Sequence, residues 1–133
     1  MPTQGKILLV DDEPLVLEMF EDVFVQRGYG VVVASCAKDA ISHLDRGFFD
    51  VVVCDVMMEG LDGFDVLSIA RRKNTAIGVI LITGAPSQAD AKRAALQNAT
   101  YLSKPVGLDL MLQTVETVMS QTLQERGTEP SVG

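Results

Sequence analysis

Five short apolar runs constrain this chain more than any other feature. They are Lys6-Ile-Leu-Leu-Val10, Val31-Val-Val-Ala34, Val51-Val-Val-Cys54, Val79-Ile-Leu-Ile82 and the shorter Tyr101-Leu-Ser103. Runs without polar–apolar alternation read as strands buried on both faces. The stretches between them have helical spacing. Residues 14–28 open on Pro14 and end on Gly28, as helices favour, and Val16, Met19, Phe20 and Val23 supply one apolar face. Residues 37–46 place Ala37, Ala40, Ile41 and Leu44 on one side. Further helices are expected at about 64–73, after a loop with Gly60 and Gly63, and across the Ala-rich 87–97. The last, at about 107–122, carries Leu108, Met111, Leu112, Val115, Val118 and Met119 on its apolar side. Strands joined through helices run parallel, because a hairpin is excluded. Right-handed crossovers with helices on both faces give an α/β three-layer sandwich around a five-stranded parallel sheet.

A length of 133 residues fits one such domain, with the core expected over 5–122. Residues 123–133 are mostly polar and lack periodicity, and they read as a tail or linker stub. Eighteen acids against 11 bases leave a net charge of −7. That sign argues against nucleic acid and against an anionic membrane surface as partners. Two cysteines, Cys36 and Cys54, are too few for a disulfide framework, and Cys54 in its apolar run reads as a buried thiol. No stretch approaches the ~20 apolar residues of a membrane span, and Met1 to Lys6 lacks a signal-peptide core. A cytoplasmic location is expected.

Ligands of an open parallel sheet bind beyond the carboxyl ends of its strands. The residues that follow each run are therefore informative. The first run ends in Asp11-Asp12, the third in Asp55, the fourth in Thr83 and the fifth in Lys104. Polar residues often mark only where a strand meets solvent, but here four segments deliver three carboxylates, a hydroxyl and an ammonium to one edge. Two carboxylates ~4 Å apart repel by about 4 kcal/mol at an effective dielectric near 20. Three stay ionised together only with a cation, or else one holds a proton. Hard oxygen donors suit Mg²⁺, which serves phosphate chemistry. Thr83 and Lys104 can then hydrogen-bond and neutralise a phosphoryl group. A carboxylate can be the nucleophile that forms an aspartyl-phosphate. Asp55, alone on its strand, suits that role, and Asp11 and Asp12 suit metal anchoring.

In these residues the sequence resembles a response-regulator receiver domain, the phosphoacceptor module of two-component signalling. The matching segments are Asp11-Asp12-Glu13-Pro14, Asp55-Val-Met-Met58 with Asp62-Gly63, Thr83-Gly84 and Tyr101-Leu-Ser-Lys104-Pro105. The similarity runs from about residue 5 to 122 and rests on the ordered set. It implies the flavodoxin-like, CheY-like strand order 2-1-3-4-5. It implies that Asp55 accepts a phosphoryl group from a sensor histidine kinase, a phosphotransfer protein or a small donor such as acetyl phosphate. Mg²⁺ would be held by Asp12, Asp55 and the backbone carbonyl of Met57, with Asp11 acting largely through water. Lys104 would contact the carboxylate and then the phosphoryl oxygens. Thr83 would swing to the phosphoryl group and Tyr101 would turn inward behind it. An aromatic at a sheet edge also packs, but the spacing of Tyr101 to Lys104 favours the switch role. The Lys104-Pro105 bond is cis in this family. The readout face would be the fourth helix, fifth strand and fifth helix, addressed to a downstream effector domain or protein. A phosphorylation-dependent dimer through that face is open, although Ala99-Thr-Tyr101 lacks the paired acids, and the fifth helix the arginines, of winged-helix regulators.

Several positions depart from the family pattern. Glu59 stands where Pro is usual, and Asn98-Ala-Thr is one residue short of the usual segment, with Asn98 able to take a left-handed conformation. Met57 and Ala85, the variable positions beside the phosphoryl group, are both apolar and would leave a hydrolytic water unoriented. A long-lived phosphoaspartate is expected. His43, on the second helix, is expected to be solvated, and Arg71-Arg72-Lys73 to favour a helix dipole. Three other families fit these residues less well. A haloacid-dehalogenase-like phosphatase would place its nucleophile after the first strand and its acidic pair last. An FMN binder needs a Ser/Thr-rich loop where Asp11-Asp12-Glu13 stands. A pseudo-receiver would lack one of Asp12, Asp55 or Lys104.

Overall fold

The computed structural model describes residues 4–128. The elements alternate without exception: β1 (Lys6–Val10), α1 (Pro14–Gln26), β2 (Gly30–Ala34), α2 (Ala37–Arg46), β3 (Val51–Asp55), α3 (Gly63–Lys73), β4 (Gly78–Thr83), α4 (Gln88–Leu96), β5 (Thr100–Ser103) and α5 (Leu108–Thr128). All strand pairs are parallel and the order is β2-β1-β3-β4-β5. This is the predicted sheet.

Alternation along the central strands divides the core in two. Ile7, Leu9, Val51, Val53, Ile80 and Ile82 pack with α1 and α5 through Phe20, Phe24, Met111 and Val115. Leu8, Val10, Val52, Cys54, Val79 and Leu81 point the other way, against Ala40 and Leu44 of α2, Phe64 and Leu67 of α3 and Ala94 of α4. Every residue of β3 and β4 is buried, whereas β2 and β5, the sheet edges, are half-exposed. The uninterrupted apolar runs follow from this double burial.

Two helices differ from expectation. α1 buries Leu17, Phe20 and Phe24, while Val16 and Val23 are only partly covered and Met19 is 42% exposed. Val16, Phe20 and Val23 of the expected face thus do pack on this half of the core, Met19 does not, and Leu17 and Phe24 complete the face, with the Phe24 ring against Phe20 and Tyr29. The helix also stops at Gln26, short of Gly28, which takes a φ of 91°. α5 continues to Thr128 instead of ending near 122. Leu123, Gln124, Glu125 and Arg126 are good helix formers, so the helix runs on where the apolar stripe has no more sheet to cover. The expected tail is thus helical over 123–128, and 129–133 lie outside the described residues. Among the described residues no helix is long and apolar enough to cross a membrane.

α5 lies unusually close to the sheet at Gly78. A Cβ there would collide with Val118 and sit 2.7 Å from Thr122 Oγ1. Strand register sets the level of the other end of the sheet. Val10 pairs with Cys54, Asp55 with Ile82 and Thr83 with Ser103. From β1 to β3 to β4 each strand runs one residue further, and β5 ends level with β4, so the residues that follow them emerge at one edge.

Candidate functional site

Asp11 continues the β1 ladder for one more bond, its N–H donating to Ala34 O at 3.2 Å. The side chain is fully buried. Its Oδ1 accepts from Glu13 N at 2.9 Å, and its Oδ2 lies 3.1 Å from Lys104 Nζ. That second approach lacks hydrogen-bond alignment. Asp11 Oδ2 is the buried side-chain oxygen without a hydrogen-bond partner among the described residues. Burial raises the Asp11 pKa above the ordinary carboxylate value; the Glu13 N–H and Lys104 oppose this, and the Asp55 charge adds to it.

Asp55 ends β3 and is buried. Its Oδ1 accepts from Met57 N at 3.1 Å and its Oδ2 from Lys104 Nζ at 2.8 Å. The turn that follows is braced by Gly63 at the start of α3. A Cβ at this position would fall 2.8 Å from Asp55 O and 2.9 Å from Val56 Cα, so only glycine lets α3 begin here. Asp62 and Asp65 close the helix start as a reciprocal cap, each carboxylate accepting the other's N–H at 3.0 Å.

Lys104 reaches the cluster from beyond β5, where its N–H donates to Thr83 O at 2.7 Å. The Lys104-Pro105 peptide is cis, as the resemblance implied. Its side chain is 19% exposed and touches Asp55, Asp11 and, at 3.1 Å, Glu13 Oε1. Burial alone would lower the Lys104 pKa, but Asp55, Glu13 and Asp11 together outweigh it and hold the ammonium charged. Thr83 is buried at the end of β4, its Oγ1 accepting from Ala85 N at 3.0 Å.

The structure therefore brings Asp11, Asp12, Asp55, Thr83 and Lys104 to one edge. It adds Glu13, whose role sequence reasoning missed. One oxygen from each of Asp11, Asp12, Glu13 and Asp55 falls within 4.8 Å of the others. Four carboxylates thus face one ammonium. A hard divalent cation suits this surplus of oxygen donors, and the unpartnered Asp11 Oδ2 is the atom that such a cation or its water would satisfy. Met57 contributes its N–H to Asp55, and the residue is 61% exposed.

Three residues lie elsewhere. Tyr101 is half-buried on β5, and its hydroxyl accepts from Ser87 N, just ahead of α4, at 3.2 Å. His43 sits in the last turn of α2, half-buried rather than solvated. Arg71 does more than complement a helix dipole. Its guanidinium donates to Ile77 O at 2.9 Å, Gln97 O at 2.6 Å and Asn98 O at 3.2 Å. Asn98 takes a φ of 55°, the left-handed conformation expected for it.

The protein-family model for the response regulator receiver domain matches residues 7–116. The chain is 33% identical over 106 residues to the transcriptional regulatory protein TcrA of Mycobacterium tuberculosis, covering 78% of this chain and 42% of that protein. It is 33% identical over 129 residues to the transcriptional regulatory protein ZraR of Salmonella typhimurium, covering 95% of this chain and 29% of that protein. The chain spans less than half the length of these relatives. Among solved structures, the receiver domain of the Francisella response regulator 1452 superposes with a TM-score of 0.80 at 28% identity, over 89% of this chain and 98% of that one. A CheY-like receiver domain protein from Methanospirillum hungatei shares the fold at a TM-score of 0.85 and 23% identity, over 90% of this chain and 97% of that one. With its acidic edge, its reaching lysine and its β2-β1-β3-β4-β5 sheet, the chain belongs to the response regulator receiver domain family, the switch modules of two-component signalling.

Proposed function

We propose that Asp55 is the phosphoacceptor of this receiver, charged by a sensor histidine kinase or phosphotransfer protein in the cytoplasm. The observation that carries the reading is the buried contact of Asp55 Oδ2 with Lys104 Nζ at 2.8 Å, inside a ring of carboxylates at the edge of the sheet. An Asp55 oxygen forms the new bond to phosphorus as the phosphorus–nitrogen bond of a phosphohistidine breaks and the imidazole leaves. Asp12, Asp55 and the Met57 carbonyl would hold Mg²⁺, with Asp11 reaching it through water. When bound, Mg²⁺ neutralises the charge that develops on the phosphoryl oxygens.

The chain's own residues do the rest. Lys104 stays with the phosphoryl oxygens, and the Thr83 hydroxyl exchanges the Ala85 N–H for a phosphoryl oxygen. That shift frees space toward Tyr101, whose departure from Ser87 would alter the face made by α4, β5 and α5. A downstream effector domain or protein reads this face, and a phosphorylation-dependent dimer would use it too. We take 5–122 as the working receiver. Met57 and Ala85 offer no polar side chain to align a hydrolytic water, so the acyl phosphate should persist well beyond seconds.

Intact-mass spectrometry after incubation with acetyl phosphate, with and without Mg²⁺, tests the reading. One phosphoryl adduct that requires Mg²⁺ and is absent from Asp55→Asn is expected. An adduct that survives in Asp55→Asn would assign the acceptor elsewhere. Decay of the adduct within seconds would remove the role given to Met57 and Ala85.

A further inference from the structure

We propose that Glu13 is a donor-discriminating residue: by sharing Lys104 with Asp55 at the mouth of the pocket, it restrains phosphorylation by small, highly charged donors. The inference rests on the phosphoacceptor reading of Asp55. It begins with the valence of Lys104. An ammonium has three N–H donors. Three carboxylate oxygens surround Lys104 Nζ, from Asp55 at 2.8 Å, Asp11 at 3.1 Å and Glu13 at 3.1 Å. Two of its donors are taken by hydrogen bonds to Asp55 and Glu13, and Asp11 Oδ2 crowds a further side without hydrogen-bond alignment, so a phosphoryl oxygen that approaches from the mouth competes with Glu13 for the ammonium.

The three partners are not equal. Asp55 receives the phosphoryl group and stays within reach. Asp11 is fully buried and tied down by the Glu13 N–H, and losing the ammonium would strand its charge. The Glu13 side chain is 60% exposed, so water replaces the lysine at little cost. Glu13 is therefore the partner that yields. Until it does, it holds Lys104 back and adds a negative charge where a small donor must enter. The N-cap position of Glu13, directly before Pro14 of α1, fixes its backbone and keeps that charge at the mouth. A protein donor would overcome the barrier with contacts made outside the pocket. A free anion has no such contacts, and its barrier should grow with its charge.

Phosphorylation rates at saturating Mg²⁺ test this with two donors, the dianion acetyl phosphate and the less charged phosphoramidate. Glu13→Gln should react about fivefold faster with acetyl phosphate, the scale of one exposed charge contact. The gain should be smaller with phosphoramidate and should shrink as salt rises. Glu13→Asp, which keeps the charge, should retain most of the discrimination. In the metal-free protein, the Lys104 ammonium protons should exchange faster in Glu13→Gln than in wild type by ¹⁵N NMR. A Glu13→Gln rate equal to or below wild type with both donors would overturn the proposal. So would an equal gain with both donors that ignores salt. Absence of any adduct on the wild type would instead remove the phosphoacceptor reading, and this inference with it.

Discussion

α4 and α5 flank neighbouring parts of the same sheet and are attached by opposite means. α5 buries Met111, Leu112, Val115, Val118 and Met119, and at Gly78 it sits so close to β4 that no side chain fits between them. Its attachment is apolar and continuous. The buried residue of α4 is Ala94, and Leu96 at its end is 80% exposed. α4 is held at its ends instead. Ser87 N donates to Tyr101 at one end, and at the other Arg71 grips the carbonyls of Gln97 and Asn98. Arg93 adds a contact over the Phe64 ring, 4.1 Å from its centroid. Moving α5 would open cavities along a whole face, which costs free energy in proportion to their volume. Moving one end of α4 exchanges a hydrogen bond or two for water, about 1 kcal/mol each. Of the two helices, α4 is therefore the one that a small change in free energy could displace, and α5 the one that would stay in place.

Disruption of α5 should have the largest effect. Met111→Ala should lower unfolding free energy by about 2–5 kcal/mol in a urea titration; a loss below 1 kcal/mol would erase the contrast. Arg71→Gln comes next. It strands the carbonyls of Ile77 and Gln97, for about 1–3 kcal/mol, and hydrogen exchange should rise at the end of α4 more than in α5. Tyr101→Phe removes one acceptor from a solvent-facing N–H. Global stability should fall by no more than about 1 kcal/mol, with faster exchange confined to the first turn of α4. Uniform acceleration across both helices would show that they move as one body. Leu96→Gln should change stability by less than about 0.5 kcal/mol, and a larger loss would mean that α4 is anchored by packing after all.

Much of this was legible in the sequence, for a definite reason. A strand buried on both faces must be apolar throughout, so the runs at 51–54 and 79–82 announce themselves and the residue that ends each is marked out. A register that steps by no more than one residue between neighbouring strands then gathers Asp11, Asp55, Thr83 and Lys104 at one edge. What stayed hidden depends on reach across the fold. Glu13 reads as one more acid beside Pro14 until Lys104, 91 positions away, is seen to bind it. Arg71 looks like a helix-end cation, because nothing local says that the carbonyls of Gln97 and Asn98 lie under it. On α1 local spacing finds Val16, Phe20 and Val23 but does not separate the exposed Met19 from the buried Leu17 and Phe24, because apolar residues lie on both flanks of the stripe. The apolar stripe of α5 ends before the helix does, because helix propensity carries it on to Thr128.

Core and pocket depend on the same strand register. Slipping any central strand by one residue would exchange the side chains assigned to the two halves of the core. The same slip would lift Asp55 or Thr83 out of line with Lys104. Assembly of the sheet and assembly of the pocket are therefore one event. A copy with a slipped central strand would keep the same residues but lose the ring of carboxylates around Lys104. On the proposed role of Asp55, such a copy would fall silent instead of sending a false message.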